Sequence, residues 1–211
     1  MGQILQKLLD VFYTKKLDIV VIGLENRYDI VCICFDEDAH LQHTYTPGCS
    51  PSNYYCNNNS GKTTLLSVLA NGQPVETVPT IGLNVKVFKK GRVNMKCWDI
   101  GGQEQYRSEW SRYTKGCDVV LYVVDAAAPQ KLPTAKKELH KLLDDGSIGN
   151  TPLLVLANKI DIEPHVGESE LIERLQLNYV METPWMVLPI SALQVTNMDQ
   201  VVEWLTAQGK S

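Results

Sequence analysis

The stretch that decides the fold comes in two pieces, Leu17-Asp18-Ile19-Val20-Val21-Ile22-Gly23-Leu24-Glu25-Asn26 and, beyond the intervening segment 27–59, Ser60-Gly61-Lys62-Thr63-Thr64. The first reads as a buried apolar strand that runs into a glycine, and the second opens a helix-like run over 65–70. Joined, they give Gly23-Leu24-Glu25-Asn26-Ser60-Gly61-Lys62-Thr63, a glycine and a Gly-Lys-Thr at the spacing of a phosphate-binding loop. Such a loop needs glycines so that successive backbone N–H groups can curl round phosphates at a helix N-terminus. Its lysine reaches the β/γ oxygens and its hydroxyl reaches Mg²⁺. Without the join the pattern fails, because the residue five before Gly61 is Cys56.

Further strands alternate with helices along the chain. Runs rich in Val, Ile and Leu cover 118–124, 153–157 and 186–190, and amphipathic helices are expected over 131–143, 169–175 and 198–207. Two shorter alternating segments, 83–88 and 93–98, flank Lys89-Lys90-Gly91-Arg92 and predict an edge hairpin. The expectation is an α/β fold: a mainly parallel six-stranded sheet with one antiparallel edge hairpin and helices on both faces.

Three strand ends carry chemistry that suits a nucleoside triphosphate. After 93–98 comes Asp99-Ile100-Gly101-Gly102-Gln103, in which Asp99 can hold a Mg²⁺-bound water, the Gly102 N–H can meet a γ-phosphate and Gln103 can orient an attacking water. After 153–157 comes Asn158-Lys159-Ile160-Asp161, whose carboxylate can accept from N1–H and the 2-amino group of guanine; adenine has no such pair of donors. After 186–190 comes Ser191-Ala192-Leu193, a small-residue loop whose backbone can meet the guanine O6. All lie at strand C-terminal ends, where open α/β sheets bind ligands.

On these residues, and on Val78-Pro79-Thr80-Ile81-Gly82 and Trp98-Asp99-Ile100-Gly101-Gly102-Gln103, the chain resembles small GTPases of the Arf and Arf-like family over residues 1–26 and 60–211. Arg112-Tyr113-Thr114-Lys115-Gly116, Val124-Asp125-Ala126-Ala127 and Lys137-Glu138-Leu139-His140 are most similar to the eighth Arf-like subgroup, associated with lysosomal positioning. The resemblance implies a P-loop GTPase fold and a switch that cycles between GDP and GTP and hydrolyses GTP slowly. It makes Thr80 the second Mg²⁺ ligand beside Thr63. It also implies exchange factors, GTPase-activating proteins and effectors as partners, with a role in vesicle or organelle trafficking.

Membrane attachment is expected at the amino end. Ile4, Leu5, Leu8, Leu9 and Phe12 share one helical face, and Lys7, Lys15 and Lys16 add positive charge. Residues 1–16 thus read as an amphipathic membrane helix and 17–208 as the GTPase domain. Gly2 is a candidate for myristoylation, although Gln6 stands where Ser or Thr is preferred. The ending Gln208-Gly209-Lys210-Ser211 has no cysteine for prenylation. The expected setting is the cytoplasm, with reversible attachment to endomembranes (lysosome, endosome or Golgi), as a monomer.

Composition sharpens the picture of residues 27–59. The 211-residue chain has 20 basic and 24 acidic residues, a net charge of −4, so no broad basic surface exists for nucleic acid. Residues 27–59 hold one basic residue, Arg27, against Asp29, Asp36, Glu37 and Asp38, and four of the six cysteines, Cys32, Cys34, Cys49 and Cys56. The Cys-x-Cys of Cys32 and Cys34 and the His-x-x-His of His40 and His43 are not the usual zinc spacings, and disulfides do not suit a reducing compartment. The segment is foreign in composition and falls inside the phosphate loop. Arg27-Tyr28-Asp29 can be encoded with a splice donor and Ser60 with an acceptor, and the segment adds whole codons, which preserves frame. We read it as a retained intron, whose removal leaves a shorter functional chain with 1–26 joined directly to 60–211. Two functional readings follow: a GTP switch, or an interaction module whose interrupted loop no longer binds nucleotide well.

Overall fold

The computed structural model describes residues 15–25, 59–75, 77–78 and 80–209. The expectations for the amino-terminal helix, Gly2, Asn26 and all of the 27–59 segment except Asn59 fall outside them. Six strands, β1 Lys15–Ile22, β2 Leu83–Lys90, β3 Val93–Ile100, β4 Val119–Asp125, β5 Leu153–Asn158 and β6 Trp185–Ile190, form one sheet in the order β2-β3-β1-β4-β5-β6. Every neighbouring pair is parallel except β2 with β3. The expected mainly parallel sheet with one antiparallel edge is therefore observed.

The helices are α1 Lys62–Asn71, α2 Glu104–Arg107, α3 Trp110–Thr114, α4 Leu132–Asp144, α5 Glu168–Leu175 and α6 Met198–Gln208. Side chains alternate across the sheet, which explains their placement. Val20, Ile22, Val120 and Tyr122 face Leu132, Ala135, Leu139 and Leu142 of α4 and Leu171 and Leu175 of α5. Ile19, Val21, Leu121 and Val123 on the opposite face meet Leu65, Leu66 and Leu69 of α1 and Val201 and Leu205 of α6. β4 and β5 are buried at every position, so they read as continuous apolar runs with no polar face.

Three details depart from the sequence expectation. Lys15 and Lys16 begin β1 rather than belonging to an amino-terminal helix, and the Lys15 N–H donates to Arg92 O at 3.0 Å. Lys89 and Lys90 continue β2 in register with Asn94 and Val93, which shortens the hairpin connection to Gly91-Arg92, with Gly91 at φ 56. The short helices α2 and α3 have no counterpart in the expected elements, because so few residues give too little periodicity to register as helix in a sequence. Among the described residues no helix is long and apolar enough to cross a membrane.

Candidate nucleotide site

The parallel strands all deliver their C-terminal ends to one edge, and the candidate residues gather there. Residues on either side of the 27–59 segment meet: the Ser60 N–H donates to Leu24 O at 3.3 Å. Lys62, the first residue of α1, points its buried ammonium back at Gly23 O, 3.1 Å away, with the Glu25 carboxylate at 3.9 Å. Burial pulls the Lys62 pKa down, opposed by the nearby charges of Glu25 and Asp99. Gly61 caps α1 at φ 86, and a β-carbon there would collide with the Asn158 amide, so both conformation and space demand glycine.

Thr63, Thr80 and Asp99 form a tight group of oxygens. Thr63 Oγ1 donates to Asp99 Oδ2 at 2.8 Å and lies 2.9 Å from Thr80 Oγ1, which itself donates to Asp99 Oδ2 at 3.3 Å. Burial pushes the Asp99 carboxyl above its ordinary range, while the Thr63 hydrogen bond and the Lys62 charge oppose that shift. Asp99 Oδ1 is buried with no hydrogen-bond partner. An orphaned carboxylate oxygen beside two hydroxyls is the hard, all-oxygen donor set that suits Mg²⁺.

The second glycine-rich turn closes directly on the phosphate loop. The Gly102 N–H donates to Glu25 Oε2 at 3.2 Å, and the Glu25 N–H donates to Gly102 O at 3.0 Å. A β-carbon on Gly102 would strike Gly23 O and lie 2.8 Å from both Glu25 N and Lys62 Nζ. The turn is anchored from behind by Trp110, whose indole N–H donates to Gly101 O at 3.1 Å, and by Arg107, which donates to Gly102 O at 3.1 Å and to Glu138 at 3.4 Å. Gln103, half-buried, follows Gly102 at the start of α2.

The loops expected to read the base are tied together by Asn158, the last residue of β5. Its Nδ2 donates to Ser60 O at 2.8 Å and its Oδ1 accepts from the Ala192 N–H at 2.9 Å. The Ala192 N–H is thus engaged within the protein, whereas the sequence expectation assigns the loop backbone to guanine O6. Asp161 is exposed beyond it, Leu193 is 59% exposed, and Ser191 is buried with its hydroxyl accepting from the Gln194 N–H at 3.0 Å. The Thr64 hydroxyl lies 3.3 Å from that of Thr77.

Sequence reasoning missed one residue. Asp125, at the end of β4, accepts from the Lys159 ammonium at 2.7 Å and from the Ala127 N–H at 3.1 Å. It holds a residue whose backbone sits at φ 72. The available signal was its position: an acid closing a fully apolar strand, at the same edge as Asn158.

This arrangement defines the class. Residues 57–209 match the ADP-ribosylation factor family, and the chain belongs to it, as a small GTPase of the Arf-like type. It is 42% identical over 154 residues, 72% of this chain and 84% of the relative, to ADP-ribosylation factor-like protein 8b of Arabidopsis thaliana. Among solved structures it is similar to the Arl6 BBS3 small GTPase of Trypanosoma brucei with the bound nucleotide analogue GppNp. That likeness has a TM-score of 0.70 at 27% identity and covers 91% of this chain and 96% of the other. The GTP-binding fold and GTP hydrolysis are properties of the family to which the chain belongs.

Proposed function

We propose that this chain is a GDP/GTP switch that recruits effectors to membranes in vesicle or organelle trafficking. The observation that carries this reading is the convergence of Lys62, Thr63, Thr80, Asp99 and Gly102 on one point at the strand edge, with Asn158 tied to the same loop through Ser60 O. Lys62 and the loop from Gly23 through Glu25 and from Ser60 to Gly61 are assigned to the phosphates, which must draw the Glu25 and Ser60 N–H groups away from Gly102 O and Leu24 O. Thr63 and Thr80 would hold Mg²⁺, with Asp99 behind them, and the ion would supply screening of phosphate charge. Gly102 senses the terminal phosphate and Gln103 orients water. Lys159, fixed by Asp125, flanks the base while the exposed Asp161 carboxylate selects guanine. Beside Thr80, Val78 and Ile81 are 82% and 81% exposed and Val87 on β2 is 71% exposed, an apolar strip suited to an effector. Exchange factors and GTPase-activating proteins act on the same switch segments, and the amino-terminal residues with Gly2 supply a reversible hold on endomembranes.

Titration of the full chain with fluorescent guanine and adenine nucleotides in Mg²⁺ tests this. Guanine should be preferred, and Asp161→Ala should weaken guanine binding by about 10- to 100-fold, the range expected for losing a hydrogen bond to a charged group, without affecting adenine. Equal binding of the two bases by the parent chain defeats the reading.

The second reading, a module with impaired nucleotide binding, is favoured by one observation. The Ser60 N–H, which should face phosphate, is given to Leu24 O. We read residues 27–59 as the cause and as a retained intron, on their foreign composition and their place inside the loop. Transcript sequencing should reveal a form in which Asn26 is followed directly by Ser60, and its absence refutes the intron reading.

A further inference from the structure

The phosphate site is occupied from within by an anion. The Glu25 side chain is only 3% exposed, although a carboxylate ordinarily seeks water. It is drawn inward by the Gly102 N–H, donating to Oε2 at 3.2 Å, and by the Lys62 ammonium at 3.9 Å from the same oxygen. These are the two donors that the site offers to a terminal phosphate oxygen. The backbone locks the arrangement, because the Glu25 N–H donates to Gly102 O at 3.0 Å. Between Gly102 and Gly23 O there is no room even for a β-carbon. While the carboxylate remains it holds the Gly102 N–H and opposes a phosphoryl group by like charge.

We propose that Glu25 is an internal stand-in for the terminal phosphate, a specificity residue that makes the site discriminate against nucleoside triphosphate relative to diphosphate. The inference rests on the guanine-nucleotide reading above. A diphosphate presents its charge to the loop and to α1 without having to displace the carboxylate from Gly102. A triphosphate must expel it, breaking the Gly102 and Lys62 contacts before remaking them. Glu25 therefore holds the switch toward the diphosphate state by direct competition for the Gly102 N–H, the donor that only a terminal phosphate requires.

The test compares the full chain with Glu25→Gln and Glu25→Asp, measuring dissociation constants for GDP and for GppNp in Mg²⁺ by competition against a fluorescent nucleotide. Each variant's folding is checked by thermal melting. Glu25→Gln should shift the ratio of the two constants toward GppNp by tenfold or more. Glu25→Asp keeps the charge but withdraws it by one methylene from Gly102, and should shift the ratio the same way by a smaller factor. An unchanged ratio in both folded variants overturns the proposal while leaving the nucleotide reading intact. Failure of every chain to bind either nucleotide overturns the nucleotide reading and this inference together.

Discussion

Deleting residues 27–59, which joins Asn26 to Ser60, is expected to tighten GTP binding by about a hundredfold or more. In the uninterrupted loop the N–H groups that follow Gly23 turn toward one point, and a phosphate collects them. In the present chain the Ser60 N–H is spent on Leu24 O at 3.3 Å and the Glu25 N–H on Gly102 O at 3.0 Å. A hydrogen bond to a charged group contributes about 1.5–3 kcal/mol, so two recovered donors correspond to roughly 3–6 kcal/mol, or about 10²- to 10⁴-fold in affinity. Loop-closure entropy changes this little, since the cost rises only logarithmically with length. The obstacle is geometric: the whole 27–59 segment must depart and return between positions that should be chain neighbours. Exchange kinetics and equilibrium binding on the full and the shortened chains give the answer directly. Equal affinities would mean that the internal bonds exchange for phosphate at no cost, and that the segment does not impair the site.

Trp110→Ala is expected to destabilise the domain by about 3–5 kcal/mol, the range for truncating a fully buried large aromatic. The indole is wholly buried in the α4-side core, packs edge-on to Tyr122 at 6.4 Å between ring centroids, and donates to Gly101 O. Removing it opens a cavity and leaves a buried carbonyl without that partner. Because Gly101 precedes Gly102, the same substitution loosens the turn that closes on Glu25 and Lys62. Urea unfolding measures the first effect. Trp110→Phe separates the two: it retains most of the packing but not the N–H, and should cost roughly 1–3 kcal/mol while still disturbing nucleotide exchange. A loss below about 1 kcal/mol for the alanine variant would show that the core refills the cavity.

Much of this was legible in the sequence because the central strands β4 and β5 are buried on both faces. Apolar runs such as 119–124 and 153–157 cannot be solvent-facing strands, and their spacing with intervening helices leaves few topologies. The helix α4 was legible for the complementary reason: Leu132, Ala135, Leu139 and Leu142 sit on one stripe and all four are buried. What was hidden depends on contacts between residues far apart in sequence. Nothing local in Glu25 says that it turns inward, since its partner Gly102 lies 77 positions away. Nothing in Asn158 says that it would reach Ser60, 98 positions away. The short helices α2 and α3 were missed because their order comes from Trp110 and Arg107 gripping the Gly101-Gly102 turn rather than from helical periodicity.

The Asn158 amide has one more implication. It joins the carbonyl of a phosphate-loop residue to the amide of a base-side loop through a single rigid group at the end of a buried strand. On the proposed nucleotide reading, recognition of the two ends is then one event rather than two: whatever draws Ser60 forward loads the Ala192 loop, and the coupling is reciprocal. A molecule offering phosphates alone, or a base alone, would have to work against the half of the clamp that it leaves empty.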